Sequence, residues 1–162
     1  MSAQERLSRL AGFLYGLATA MFAGTILELI AAKHFQEPVQ LVPFGLCVAG
    51  IGAVFLAWQR SDRLAIQGLR ALMVVTASGT ALGIWKHVEG NMGFIQEMHP
   101  GASGWALISG ALTGRAPLLA SGVLAASAVA AISATFAAGW DLAAIGRPES
   151  ERAAPQPVST MS

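Results

Sequence analysis

Four long stretches with almost no charged residues take up most of this 162-residue chain. They cover residues 10–32, 41–58, 69–85 and 116–140. A helix needs about 20 apolar residues to cross the roughly 30 Å of hydrocarbon in a bilayer. Because lipid offers no hydrogen-bond partners, each spanning segment must satisfy its own backbone groups as a helix. The pattern predicts an all-α integral membrane protein, with a four-helix bundle formed by residues 1–145.

The composition agrees with immersion in a lipid bilayer. Hydrophobic residues make up 54% of the chain and charged residues 12%, against about 25% charged in soluble domains. The net charge is only +1, and the sequence has no cluster of basic residues that could neutralise the phosphates of a nucleic acid. We therefore do not expect nucleic acid as a partner. The single cysteine, Cys47, lies inside the second stretch, and we interpret it as a small buried hydrophobe.

The distribution of Lys and Arg predicts the orientation. One side of the membrane would carry seven of these residues and the other side three. The positive-inside rule then places both termini in the cytoplasm, and the small size of the chain suggests a bacterial inner membrane. The first side has Arg6, Arg9, Arg60, Arg63, Arg70, Arg147 and Arg152, and the second has Lys33, Lys86 and Arg115.

The segment between the third and fourth stretches, 86–115, is about thirty residues long, which is unusual for a connection without a role of its own. We expect an extracytoplasmic cap. Its first half, 86–100, is polar and rich in turn-forming residues, and predicts an irregular loop. Its second half, 103–112, is apolar but too short to span, and predicts a short interfacial helix with Ser103 as N-cap. The tail 146–162 is rich in Pro, Ala and Ser and predicts a disordered cytoplasmic end.

Small residues recur at four-residue intervals and predict where helices approach closely. In lipid, burial of apolar surface contributes little to helix association, so helices associate where small residues allow close packing of their backbones. We expect these stripes to pack helices within the chain. The alternative is that one of them binds a second copy or a larger membrane complex. The alanine-rich face 122–138 of the fourth span is the first candidate for this contact. The first span carries Gly12, Gly16, Ala20 and Gly24, and the third carries Gly79 and Gly83.

Polar residues gather on the predicted outer side, where all three histidines fall. Glu28 lies about one turn inside the outer end of the first span, on the same face as its small residues. We expect it to point into the bundle, either as a functional carboxylate or as a partner of a nearby Lys or His. The full predicted polar cluster consists of Glu28, His34, His87, Glu89, Glu97 and His99.

Three functions fit this pattern. The first is a non-enzymatic accessory or structural protein that packs with itself or with a larger complex, since the chain has no nucleophile–base pair, phosphate loop or dinucleotide fingerprint. The second is binding of a divalent metal by His87, Glu89 and His99. Haem between His34 and His87 is disfavoured, because both lie at the ends of the predicted spans. The third is a small transport component in which Glu28 recognises a cation or another solute.

Overall fold

The computed structural model of the chain describes residues 2–114 and 119–139, and every regular element in these ranges is helical. The all-α prediction is therefore confirmed. In chain order the elements are α1 (Ala3–Ala31), a 3-10 turn (Pro38–Leu41), α2 (Val42–Arg60), α3 (Arg63–Met98), α4 (Trp105–Thr113) and α5 (Leu119–Ala137).

Three of these segments are long and apolar enough to cross a membrane, which suggests that this is a membrane protein. They are α1 with 29 residues, Pro38–Arg60 with 23 residues and α3 with 36 residues. The apolar segment Ser121–Ala137 of α5 is shorter. The predicted fourth span, 116–140, falls partly outside the described residues, and the predicted tail, 146–162, lies entirely outside them.

Local hydrogen bonds set the start of α1 and the sharp turn between α2 and α3. Ser2 and Glu5 form a capping box, in which the Glu5 N–H donates to Ser2 Oγ at 3.1 Å and the Ser2 N–H donates to Glu5 Oε2 at 2.9 Å. Ser61 ends α2 in the left-handed region with φ 48°. Asp62 then caps α3 by accepting the Ala65 N–H at 2.8 Å. As the short connection predicts, α2 and α3 are neighbours.

The buried face of α1 repeats every three and four residues. This spacing is typical of helices whose side chains interlock along a shared seam. Through such seams, α1 packs against α2 and α5, α3 packs against the same two helices, and α4 packs against α3. The buried residues of α1 are Ala11, Tyr15, Ala18, Phe22, Thr25 and Leu29, and those of α3 include Ile66, Leu69, Met73, Thr76 and Thr80.

The side of α5 that packs against α1 and α3 is built mainly from small residues. Ala128, Ala131 and Ala134 are completely buried there, and their size lets helix backbones approach closely. Several interior hydroxyl groups donate to carbonyls of their own helix. Thr25, for example, donates to Met21 O at 2.9 Å. Such bonds satisfy the hydroxyl group within its own helix.

The prediction of an irregular loop at 86–100 is wrong, because α3 continues to Met98. Gly90 and Gly93 lie inside the helix with no neighbouring heavy atom within 4 Å of an added Cβ, and a helical glycine costs only about 1 kcal/mol relative to alanine. The helix ends at Met98, because Pro100 disfavours the helical backbone conformation at the residue before it, His99. The predicted short helix is present as α4, although Gly104, with φ 57°, occupies the N-cap position instead of Ser103.

Candidate functional site

The turn after α1 determines where His34 lies. Lys33 adopts the left-handed region with φ 52°, and its N–H donates to Ile30 O at 3.0 Å. The His34 N–H donates to Leu29 O at 2.9 Å. Together these bonds form a Schellman motif, which reverses the chain at the end of a helix. The motif folds His34 back toward His87 on α3 instead of leaving it in an extended loop.

His34 and His87 lie side by side, as their similar predicted depths suggest. Their ring centres are 6.2 Å apart and their planes are tilted by 50°. Both residues are half-buried. His87 follows the predicted span 69–85 and lies on α3.

Glu28 is half-buried on the last turn of α1. Among the residues that the structure describes, its carboxylate has no hydrogen-bond donor and no salt-bridge partner. Of the partners expected from the sequence, Lys86 instead forms an ion pair with Glu89, with Nζ to Oε2 at 2.8 Å. The structure therefore does not join Glu28 to the two histidines through a hydrogen bond or an ion pair.

The residues predicted as metal ligands do not come together. His87 and Glu89 lie within α3, and His99 follows its last residue. The rise of a helix separates His87 from His99 by about 18 Å along the axis. Glu97 and His99 are both exposed. Within 2–114 and 119–139, no three His, Cys, Asp or Glu side chains are grouped so that they could hold a metal ion.

The small residues of α1 face away from the rest of the chain. Gly16, Ala20 and Gly24 are exposed, and Gly12 is half-exposed. A Cβ added at any of these three glycines would meet no heavy atom within 4 Å. We call this surface, made of Gly12, Gly16, Ala20 and Gly24, the α1 ridge. The expectation that it packs against another helix of this chain is not met among the described residues.

The glycines of α3 do contact neighbouring helices. An added Cβ at Gly79 would lie 3.6 Å from Leu46 Cδ1 on α2, and one at Gly83 would lie 3.8 Å from Ser121 Oγ on α5. The α3 stripe therefore faces the interior of the chain, as expected. The small-residue stripes of α1 and α3 thus have opposite environments.

A tight contact between α1 and α2 involves a glycine that sequence reasoning did not select. Gly50 is buried, and an added Cβ would lie 2.8 Å from Phe22 Cζ. Phe22 is itself completely buried. Glycine is required here because the aromatic ring occupies the space of a side chain. The spacing of small residues does not predict this contact, since Gly50 belongs to none of the predicted stripes.

Arg70 forms a second polar group at the opposite end from His34. The expected topology places Arg70 among the cytoplasmic charges, and the structure shows it half-buried on α3. Its Nε donates to Thr135 Oγ1 at 2.9 Å, and its guanidinium carbon lies 4.4 Å from the ring centre of Phe136. Tyr15 is 3% exposed and stacks on Trp58 with ring centres 6.1 Å apart. In the sequence, the only indication of these contacts is that Arg70 is a single charged residue just inside the predicted span 69–85.

Asn91 links α3 to α4. It is buried, and its Nδ2 donates to Ala111 O at 2.9 Å. A Cβ added at Gly114 would lie 2.6 Å from Asn91 Cγ, and Gly110 is in close contact with Ile95. These contacts dock α4 on the last turns of α3. Sequence reasoning missed them because it placed Asn91 in a loop.

Comparison of the chain with protein-family models, with curated proteins and with solved structures finds no match.

Proposed function

We propose that this protein is a four-helix integral protein of a bacterial inner membrane, with both termini in the cytoplasm. The packing of α1 and α3 against both α2 and α5 supports the bundle. The distribution of basic residues supports the orientation. Arg6 and Arg9 lie near the start of α1, and Arg60 and Arg63 flank the turn between α2 and α3. The stacking of Tyr15 on Trp58 brings these basic segments to the same end of the bundle.

Two exposed tryptophans support the expected position of the bilayer. Trp58 is 54% exposed near the end of α2, and Trp85 is 67% exposed on α3. The contact between Leu46 and Gly79 sets the register of these antiparallel helices. In that register, the two tryptophans are about 27 Å apart along the helix axes. This agrees with the roughly 30 Å of hydrocarbon between the interfacial zones that tryptophan prefers.

Thiol labelling tests the orientation. In a Cys47→Ala background, Glu97→Cys is expected to react with a membrane-impermeant maleimide in intact cells, because Glu97 is exposed at the outer end of α3. The matched variant Ser61→Cys, exposed in the turn between α2 and α3, is expected to react only after the membrane is permeabilised. Labelling of Ser61→Cys and protection of Glu97→Cys in intact cells would reverse the proposed orientation.

We further propose that the protein has a non-enzymatic structural role, in which the α1 ridge packs against a second copy or another membrane protein. The observation that carries this proposal is the exposure of the ridge. The two glycines of the α3 stripe contact α2 and α5, whereas the glycines of the ridge have no neighbour. Small residues at four-residue spacing allow close backbone contact between membrane helices, so an uncovered ridge is suited to contact with another chain.

Glu28 supports the same proposal. It follows Gly24 by four residues and therefore continues the ridge toward the outer end of α1. A carboxylate at this depth is costly when it has no partner, and the described residues provide none. A neighbouring chain that covers the ridge would also reach this carboxylate.

Substitution within the ridge tests the proposal. Gly16→Leu is expected to weaken the association about tenfold, because close helix contacts contribute roughly 1–2 kcal/mol. The measurement is chemical crosslinking in native membranes, combined with co-purification of differently tagged copies. Gly52→Leu is the matched control, since Gly52 is also exposed, lies within an apolar helix and has no neighbour within 4 Å of an added Cβ.

The crosslinking pattern separates the two kinds of partner. Loss of crosslinks between tagged copies identifies self-association, whereas loss of a crosslink to a different protein identifies a larger complex. Equal crosslinking by wild type, Gly16→Leu and Gly52→Leu would contradict a role for the α1 ridge.

A further inference from the structure

We propose that His34 and His87 together bind one Cu(I) ion at the outer end of the bundle. The two imidazoles come from different elements, the Schellman turn after α1 and the extension of α3 beyond the predicted span. Their ring centres lie 6.2 Å apart. This site is separate from the α1 ridge, and it differs from the predicted ligand set of His87, Glu89 and His99.

The ring separation matches the one that a nearly linear arrangement of two nitrogen ligands requires. A metal–nitrogen bond of about 2.0 Å places each imidazole centre about 3.2 Å from the ion. Two rings on opposite sides of the ion are then about 6.4 Å apart, whereas two rings at a tetrahedral angle are about 5.2 Å apart. The observed 6.2 Å is close to the linear value. The 50° tilt between the rings is compatible with this arrangement, because rotation about a linear N–metal–N axis does not change the bonds.

The number of available ligands also favours Cu(I). Zn²⁺ in structural sites takes four ligands in a tetrahedron, but the described residues contain no group of three or more suitable side chains. A monovalent d¹⁰ ion such as Cu(I) is satisfied by two nitrogen ligands, and imidazole is a suitable donor for copper. Two histidines therefore complete the coordination of this ion without a third residue.

The surrounding charges favour an ion of low charge. Lys33 precedes His34, and Lys86 precedes His87. The charge of Lys86 is already matched by Glu89 through their 2.8 Å ion pair. The described residues add no carboxylate ligand to the two imidazoles. A divalent cation would receive no compensating charge from this ligand set and is repelled twice as strongly by Lys33 as a monovalent cation.

Competition with a chromogenic Cu(I) chelator tests the site. The full-length protein, purified in mild detergent and kept under anaerobic reducing conditions, is titrated with Cu(I) in the presence of bicinchoninate. We expect one equivalent to be bound. His34→Ala and His87→Ala are each expected to weaken binding at least tenfold, because each removes one of the two ligands. His99→Ala is the matched control, since it removes an exposed histidine from the same side of the protein, and it is expected to bind like wild type.

X-ray absorption at the copper edge provides a second readout. We expect two nitrogen ligands at about 2 Å and no sulfur ligand. If one histidine variant fails to fold, the other decides the result, because either substitution leaves only one imidazole. Failure of the wild type to compete for Cu(I), an equal loss of binding in His99→Ala, or four-ligand Zn²⁺ binding at the same histidines would overturn the proposal. A haem absorption band in the purified protein that is lost in His34→Ala would also overturn it.

Discussion

Replacing Gly50 with valine is expected to lower the free energy of unfolding by about 1–3 kcal/mol, which is typical of overpacking in a close-packed core. The new Cβ would lie 2.8–3.1 Å from three atoms of the Phe22 ring. Phe22 has no exposed surface into which it can move, so α1 and α2 must separate. The measurement is denaturant unfolding of the protein in mild detergent, followed by circular dichroism.

Gly52→Val is the control for this prediction. Gly52 lies on the same helix, two residues from Gly50, but an added Cβ there has no neighbour within 4 Å. Its stability is expected to stay within about 0.5 kcal/mol of wild type. Phe22→Leu should recover part of the loss in the Gly50→Val background, since it removes the atoms that clash. Equal stability of Gly50→Val and Gly52→Val would show that α1 and α2 are not in close contact at Gly50.

Removing the Arg70 side chain is also expected to have a large effect on the free energy of unfolding. Arg70→Ala should lower the free energy of unfolding by about 2–3 kcal/mol, because it removes a hydrogen bond from a charged donor and a cation–π contact. The affected partners are Thr135, whose Oγ1 accepts the Arg70 Nε–H at 2.9 Å, and Phe136, whose ring lies under the guanidinium group. The same detergent unfolding assay measures the change.

Two other variants separate this effect from simple loss of charge. Arg63→Ala removes an exposed arginine from the first turn of the same helix, and it is expected to change stability by less than about 0.5 kcal/mol. Arg70→Lys keeps the charge but loses the planar group that stacks and hydrogen-bonds, so its stability should lie between those of Arg70→Ala and wild type. If Arg70→Ala is as stable as Arg63→Ala, the contacts of Arg70 contribute nothing to folding.

The sequence predicts the apolar helices well because their positions depend only on a run of apolar residues. The predicted spans 10–32 and 41–58 end within two residues of the observed ends, Ala31 for α1 and Arg60 for α2. The depth of His34 and His87 follows from the same pattern. None of these predictions requires knowledge of which helices are neighbours.

The C-terminal part of α3 was not predictable in the same way. Gly90 and Gly93 are typical of turns, and their local preference favours the expected loop. The helix is supported instead by docking of α4, through the bond from Asn91 to Ala111. That contact joins residues twenty positions apart, and a local pattern does not contain it. The expected metal ligands were affected by the same error, because an irregular loop would have allowed His87 and His99 to meet.

The choice of buried face on α1 also depends on tertiary contacts. Glycines at four-residue intervals mark a face that is easily seen in a sequence, but the observed core alternates steps of three and four residues. Large residues such as Tyr15 and Phe22 lie on this alternating seam. Phe22 packs against Gly50 of α2, and Tyr15 stacks on Trp58 of the same helix. These contacts can be identified only when the relative positions of α1 and α2 are known.

The unbroken length of α3 exceeds the thickness of a hydrocarbon core. Its 36 residues extend about 54 Å and contain no proline that would introduce a kink. A helix of this length that crosses roughly 30 Å of hydrocarbon leaves about 24 Å outside it. Because α4 packs on the last turns of α3, that excess length presents a surface built from two helices instead of one.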